Sequence, residues 1–240
     1  MGESDGFKGA PPGQTTLEQL ALFVLDRSGS MGMDEPAISG LKKYEAVRKH
    51  VLDPDEKEGC IAKLRAGGLK EGMYVGVIAF DDKVDPPLLL PTKVVAITES
   101  MLDPDRFTPR GETAIGLALN EAHKMARDFL AQADPLVQRL VTILLMSDGR
   151  NTSGPDPVTS AAEIKNTARS VEAYGGRPEI VIAAAAYGPD ADEVVLRQIA
   201  TPPWPGCKYA ELFKRVGTGA ELRNWLVGTA TALTQAQKRA

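Results

Sequence analysis

Four apolar runs punctuate the chain: 20–25 (LALFVL), 74–80 (YVGVIAF), 140–146 (LVTILLM) and 180–187 (IVIAAAAY). Each is near-continuous rather than alternating, and each is bounded by turn residues. A strand covered by helices on both faces has this pattern, because neither side of its pleat meets water. Between the runs the period changes. Over 113–131, Ile115, Leu119, Ala122, Ala126, Phe129 and Leu130 follow three-four spacing, while Glu121, Lys124 and Asp128 fall elsewhere. That predicts an amphipathic helix, and weaker versions of the signal cover 40–52, 158–174, 191–200 and 219–235. The shorter run 84–90 (VDPPLLL) holds two prolines, which confine it to a sheet edge or a hairpin partner. Strand and helix in alternation predict an open α/β sheet with helices on both sides. Ligands of such sheets sit outside the carboxyl ends of the strands, near the point where strand order reverses.

Composition narrows the function. The 240 residues carry 28 Lys and Arg against 32 Asp and Glu, in short mixed stretches without a basic stripe. A nucleic-acid partner is therefore not expected. The longest apolar runs are far short of the ~20 residues a membrane span requires. One domain over 17–236 is expected, after a Gly- and Pro-rich flexible segment at 1–16. That segment lacks a basic start and apolar core, and Gly6 stands where a myristoylation motif needs Ser or Thr, so a cytoplasmic location is expected. Cys60 and Cys207 read as two separate thiols.

The chemistry gathers where strands end. Asp26, Ser28 and Ser30 follow the first run at i, i+2, i+4, with Gly29 and Gly32 allowing a tight turn. Asp148 follows the run at 140–146, and Thr113 stands where the long helix begins. Ser28, Ser30 and Thr113 could each serve as a helix N-cap, and Asp148 as a turn former. Taken together, all five are oxygen donors, with no sulfur or imidazole among them. Such a set suits a small, hard divalent cation such as Mg²⁺, and two carboxylates roughly balance its charge.

These three pieces, "DRSGS", "GETAIGLAL" and "MSDGRNT", resemble the von Willebrand factor type A domain and its metal-ion-dependent adhesion site, written D-x-S-x-S, then Thr, then Asp. The resemblance covers about 18–235. It implies a doubly wound, mostly parallel six-stranded sheet with one antiparallel edge strand and helices on both faces. It implies Ser28, Ser30 and Thr113 as direct metal ligands, with Asp26 and Asp148 acting partly through water. The metal would be Mg²⁺, with Mn²⁺ or Ca²⁺ as alternatives. The function implied is non-enzymatic: a partner protein presents an Asp or Glu to the metal. Stand-alone bacterial and archaeal domains of this kind imply a MoxR-type AAA ATPase, or a kinase or phosphatase of a tellurium-resistance-like system, as partner. Arg27, Arg110 and Arg150 each neighbour a motif residue and are expected to form a basic rim favouring an acidic partner.

Competing readings are weaker. "FVLDRSGS" resembles the start of the D-x-D-x-T motif of haloacid dehalogenase-type phosphatases, which use Mg²⁺, but Ser28 replaces the proton-donating acid and only "FDD" at 80–82 offers another. Neither G-x-S-x-G nor G-x-G-x-x-G is present around the serines. A scaffold with an unused metal site is the other alternative. His50 and His123 stand alone, and the acidic stretches 53–59, 81–85 and 189–193 read as solvated loops. Trp204 reads as core, and Trp225 as buried with Leu222, Leu226 and Leu233.

Overall fold

The structure, a computed structural model, describes residues 16–35, 38–67, 71–132, 134 and 136–235. The segment expected over 1–16 lies outside these residues except for Thr16, which opens β1 (Thr16–Asp26). A single 3-10 turn (Gly29–Gly32) leads to a hairpin of β2 (Asp34–Glu35) and β3 (Ile38–Lys42), then α1 (Lys43–Val47) and α2 (Cys60–Ala66). There follow β4 (Met73–Phe80), β5 (Leu89–Lys93), α3 (Ile115–Leu130), β6 (Val137–Ser147) and α4 (Pro157–Thr167). A second hairpin, β7 (Ser170–Val171) with β8 (Arg177–Pro178), precedes β9 (Ile180–Tyr187), α5 (Glu193–Ile199), β10 (Phe213–Val216) and α6 (Gly219–Gln235).

Six strands form one sheet in the order β10-β9-β6-β1-β4-β5. All neighbours are parallel except β5, which runs antiparallel to β4 at the edge. Every residue from Leu20 to Leu25 is fully buried, as the continuous apolar run requires. The two covering layers can be told apart by strand parity. Gln19 donates to the Ala230 carbonyl of α6, whereas a side chain at Gly76 would meet both Leu22 on β1 and Met125 on α3. Positions 19 and 22 point to opposite faces of one strand, so α3 and α6 cover opposite sides. Gly76 lets α3 approach closely, since a Cβ there would lie 3.0 Å from Leu22 and 3.3 Å from Met125.

Strand order reverses between β1 and β6: the chain lays β4 on one side of β1 and β6 on the other. The loops bearing Asp26 and Asp148 leave these two strands and so flank the reversal.

Several boundaries differ from the sequence expectation. The helix expected over 158–174 stops at Thr167. Gly175 and Gly176, both at positive φ, then turn a hairpin closed by Arg169 and Glu179. In the stretch 40–52 only Lys43–Val47 is regular α-helix; strand β3 precedes it and a wider π turn (Arg48–Leu52) follows. The proline-bearing run 84–90 reaches the sheet edge as expected: Val84 bridges to Phe80, and past the two prolines Leu89 and Leu90 open the antiparallel edge strand β5. Trp204 is in the core, whereas Trp225 is only half-buried beside Leu222 and Leu226; the Leu233 side chain lies outside the described set. Cys60 and Cys207 are free thiols. Among the described residues no helix is long and apolar enough to cross a membrane.

Candidate functional site

β1 and β6 run side by side, with Leu25 opposite Met146, so their ends deliver Asp26 and Ser147 to adjacent positions. Ser147 Oγ donates to Asp26 Oδ2 at 2.6 Å, and the Ser28 backbone N–H donates to Asp26 Oδ1 at 2.8 Å. Ser28 Oγ and Ser30 Oγ lie 3.0 Å apart, and Ser30 Oγ donates to Asp148 Oδ1 at 2.7 Å. Thr113 arrives from the loop before α3. A Cβ built on Gly149 would be 3.6 Å from both Ser30 Oγ and Thr113 Oγ1, which places these two hydroxyls around one point. All five residues singled out in the sequence therefore converge.

None of the three hydroxyls is a helix cap. Ser28 makes no side-chain capping bond to a backbone N–H of the 3-10 turn it precedes. At α3 the capping is done from the next loop: Asn151 Oδ1 accepts from the Ile115 N–H at 2.8 Å, and Thr152 Oγ1 from the Thr113 N–H at 3.0 Å. Among the described residues Thr113 Oγ1 has no hydrogen-bond partner. The structural explanation for Ser and Thr at these positions thus fails, and their oxygens face the cluster instead.

Electrostatics mark the same place. Asp26 and Asp148 are both fully buried. Burial first, and the neighbouring Asp148 charge second, push the Asp26 carboxyl from 3.8 up to about 7, against the hydrogen bonds from Ser147 and Ser28. Two acids held this close need a compensating cation. One is supplied by the chain: Lys43 Nζ lies 2.7 Å from Asp148 Oδ2, with Lys43 itself 2% exposed. No group of three or more His, Cys, Asp or Glu side chains that could hold a metal occurs among the described residues; this cluster brings two carboxylates together with three hydroxyls.

The expected basic rim is corrected. Arg27 is buried, with Nε 2.9 Å from Asp81 Oδ2 and Nη2 2.7 Å from Asp85 Oδ2. Arg110 meets the same two acids, with Nε 2.8 Å from Asp81. These guanidinium groups are neutralised and act as braces between loops. Burial opposes ionisation of Asp81, but Arg110, the Lys83 N–H and Arg27 together hold its carboxyl below the ordinary range. The backbone adds ties from Gly29 N–H to the Gly111 carbonyl and from Ala114 N–H to the Asp81 carbonyl. Gly111 sits at φ +63, the left-handed region. Arg110 and Arg150 are both exposed, but of the three only Arg150 has no hydrogen bond or ion pair among the described residues.

Sequence reading missed Lys43, Ser147, Asn151, Thr152 and the bracing role of Asp81. Position at the end of a buried strand was the available signal for Ser147 and Asp81; the others lie in loops or at the start of a short helix.

Similar proteins can now be set beside this geometry. A structure described as von Willebrand factor type A from Catenulispora acidiphila superposes with a TM-score of 0.58, at 16% identity over 92% of this chain and 43% of that one. The chain has the fold of a von Willebrand factor type A domain. Proximal thread matrix protein 1 of the mussel byssus shares the type A fold at a TM-score of 0.57, with 16% identity over 92% of this chain and 49% of that one. In another of its structures (TM-score 0.54) that protein has a zinc-occupied adhesion-site motif. The pilus adhesin SpaC of Lactobacillus rhamnosus GG gives 0.60 at 13% identity, covering 93% of this chain and 31% of that one. The type A fold here spans about half the length of the matrix-protein chains it matches. No family model and no curated protein matches the sequence.

Proposed function

We propose that this type A fold is a non-enzymatic protein-interaction module in which Asp26, Ser28, Ser30, Thr113 and Asp148 hold a divalent cation. The observation that carries the reading is the convergence of three hydroxyls, none used for capping, with two buried carboxylates at the strand-order reversal. The donor set fits a hard cation, so Mg²⁺ is the first choice, with Mn²⁺ or Ca²⁺ as alternatives. Ser28, Ser30 and Thr113 offer neutral oxygens, and Asp26 and Asp148 offer the charge. A bound divalent ion supplies a Lewis-acidic position for an external carboxylate, so the partner is a protein presenting Asp or Glu. The zinc-occupied motif of the mussel matrix protein and the adhesin role of SpaC support a recognition function.

The phosphatase alternative is less well supported: Ser28 stands where the proton donor belongs, and Asp81 faces Arg27 and Arg110.

The test is Mn²⁺ binding followed by the electron paramagnetic resonance of the free ion, on wild type and Asp26→Ala, together with capture of partners in Mg²⁺ or EDTA. Saturable one-site binding lost in Asp26→Ala, with partners lost in EDTA, is expected. Binding and capture indifferent to both treatments would overturn the proposal.

A further inference from the structure

The two lysines of "GLKKYE" have opposite fates. Lys42 points outward and pairs with Asp34 in solvent, both residues about half exposed (43% and 51%). Lys43, the first residue of α1, is 2% exposed, and its ammonium lies 2.7 Å from a carboxylate oxygen of Asp148, which is 0% exposed. The helix start is pinned from both sides: the Lys43 N–H donates to the Met33 carbonyl at 3.0 Å, and the Lys42 N–H to Glu45 Oε2 at 3.0 Å. The Asp148 carboxylate is then fixed through both oxygens, one on Lys43 and one on Ser30. A buried ion pair contributes little net stability against apolar side chains of similar size. Its presence beside a metal-type donor set calls for another explanation.

Charge counting supplies one. Among the described residues the ionised groups in contact with the donor set are Asp26, Asp148 and Lys43, for a net charge of about −1 when Asp26 is ionised. Arg27 does not enter the count because Asp81 and Asp85 neutralise it, and buried Glu35 is left out because it meets the Tyr187 hydroxyl and the Gly219 N–H at the start of α6 and not the donor set. A divalent ion would leave the filled site at about +1, one carboxylate short of neutrality. Without the ammonium the filled site would already be neutral.

We infer that Lys43 determines the specificity of the site: it weakens binding of the bare cation and makes retention depend on an incoming carboxylate. The inference rests on the metal reading above. Lys43 acts on the metal position through Asp148 and through its own charge, and it makes no contact with the partner.

Mn²⁺ titrations at pH 8, with and without added acetate, on wild type, Lys43→Met, Lys43→Gln and Lys43→Arg test this. Acetate is expected to tighten Mn²⁺ binding to wild type and Lys43→Arg. The two neutral variants are expected to bind bare Mn²⁺ about tenfold or more tightly than wild type and to gain nothing from acetate. A purely structural role would not move the acetate response. Using two neutral variants guards against one failing to fold, with thermal melting as the check. If Asp26-dependent Mn²⁺ binding is present but its affinity and acetate response are the same in wild type and the neutral variants, the inference falls alone. It also falls alone if Lys43→Arg behaves like Lys43→Met. If no Asp26-dependent binding is found in any of them, the metal reading falls and takes the inference with it.

Discussion

Asp26 sits where burial and a second acid oppose its ionisation, so the folded chain carries a built-in tension. Its carboxyl titrates near 7 in the folded chain against 3.8 as its ordinary value. A raised acid pKa means that the folded state holds a proton which the unfolded state has lost. Between about 4 and 7 the unfolded chain therefore binds fewer protons, and stability falls as pH rises. The drop from this one group is on the order of a few kcal/mol. Asp26→Asn removes it while keeping an acceptor for the Ser28 N–H. In EDTA, urea unfolding of wild type is expected to show lower stability at pH 8 than at pH 5. Asp26→Asn is expected to flatten that difference and to bind no Mn²⁺. An Asn variant that is less stable than wild type at pH 8 would contradict the account. At this scale the sequence was readable where spacing alone carried the meaning, as for Asp26, Ser28 and Ser30. It was silent where packing decides, since nothing local separates the buried Lys43 from the exposed Lys42.

Between elements, the ionic brace matters more than the individual loops. Asp81, at the end of β4, accepts from Arg27 of the first loop and Arg110 of the loop leading to Thr113, and Asp85 closes the other side. The brace fixes how the Ser28 turn and Thr113 approach each other, and the left-handed Gly111 lets their backbones meet. Removing one partner of a buried pair leaves a charge uncompensated, at about 3 kcal/mol or more. Asp81→Ala is therefore expected to lower stability by about that amount in urea unfolding and to weaken Mn²⁺ binding, although Asp81 is not among the five proposed donors. Unchanged Mn²⁺ affinity in a folded Asp81→Ala protein would show that the loops hold their geometry without the brace. Strands and the long helix α3 were legible because their apolar periodicity is strong. The basic rim was misread because sequence neighbours of a site share its loop without sharing its direction. Arg27 follows Asp26 in the chain and points away into an acidic pair.

Across the whole molecule, that neutralisation changes what draws a partner in. The chain carries a net charge of −4, and of the three arginines beside the motif only Arg150 is both exposed and without an ion pair. An acidic partner therefore meets no strong positive field before metal loading, and attraction would come from the filled site at contact distance. Long-range steering by surface charge falls steeply with salt, because the screening length shrinks to about 8 Å at physiological ionic strength. Contact through one buried site is screened far less. For a partner recovered by Mg²⁺-dependent capture, the association rate is expected to change only a few-fold between low and physiological salt, whereas EDTA abolishes binding. Arg150→Ala is expected to slow association by no more than that same few-fold factor, leaving dissociation unchanged. Rates measured by surface-immobilised binding at two salt concentrations decide the matter. A steep salt dependence that vanished in Arg150→Ala would mean that the exposed arginine, and not the site between β1 and β6, supplies the recognition.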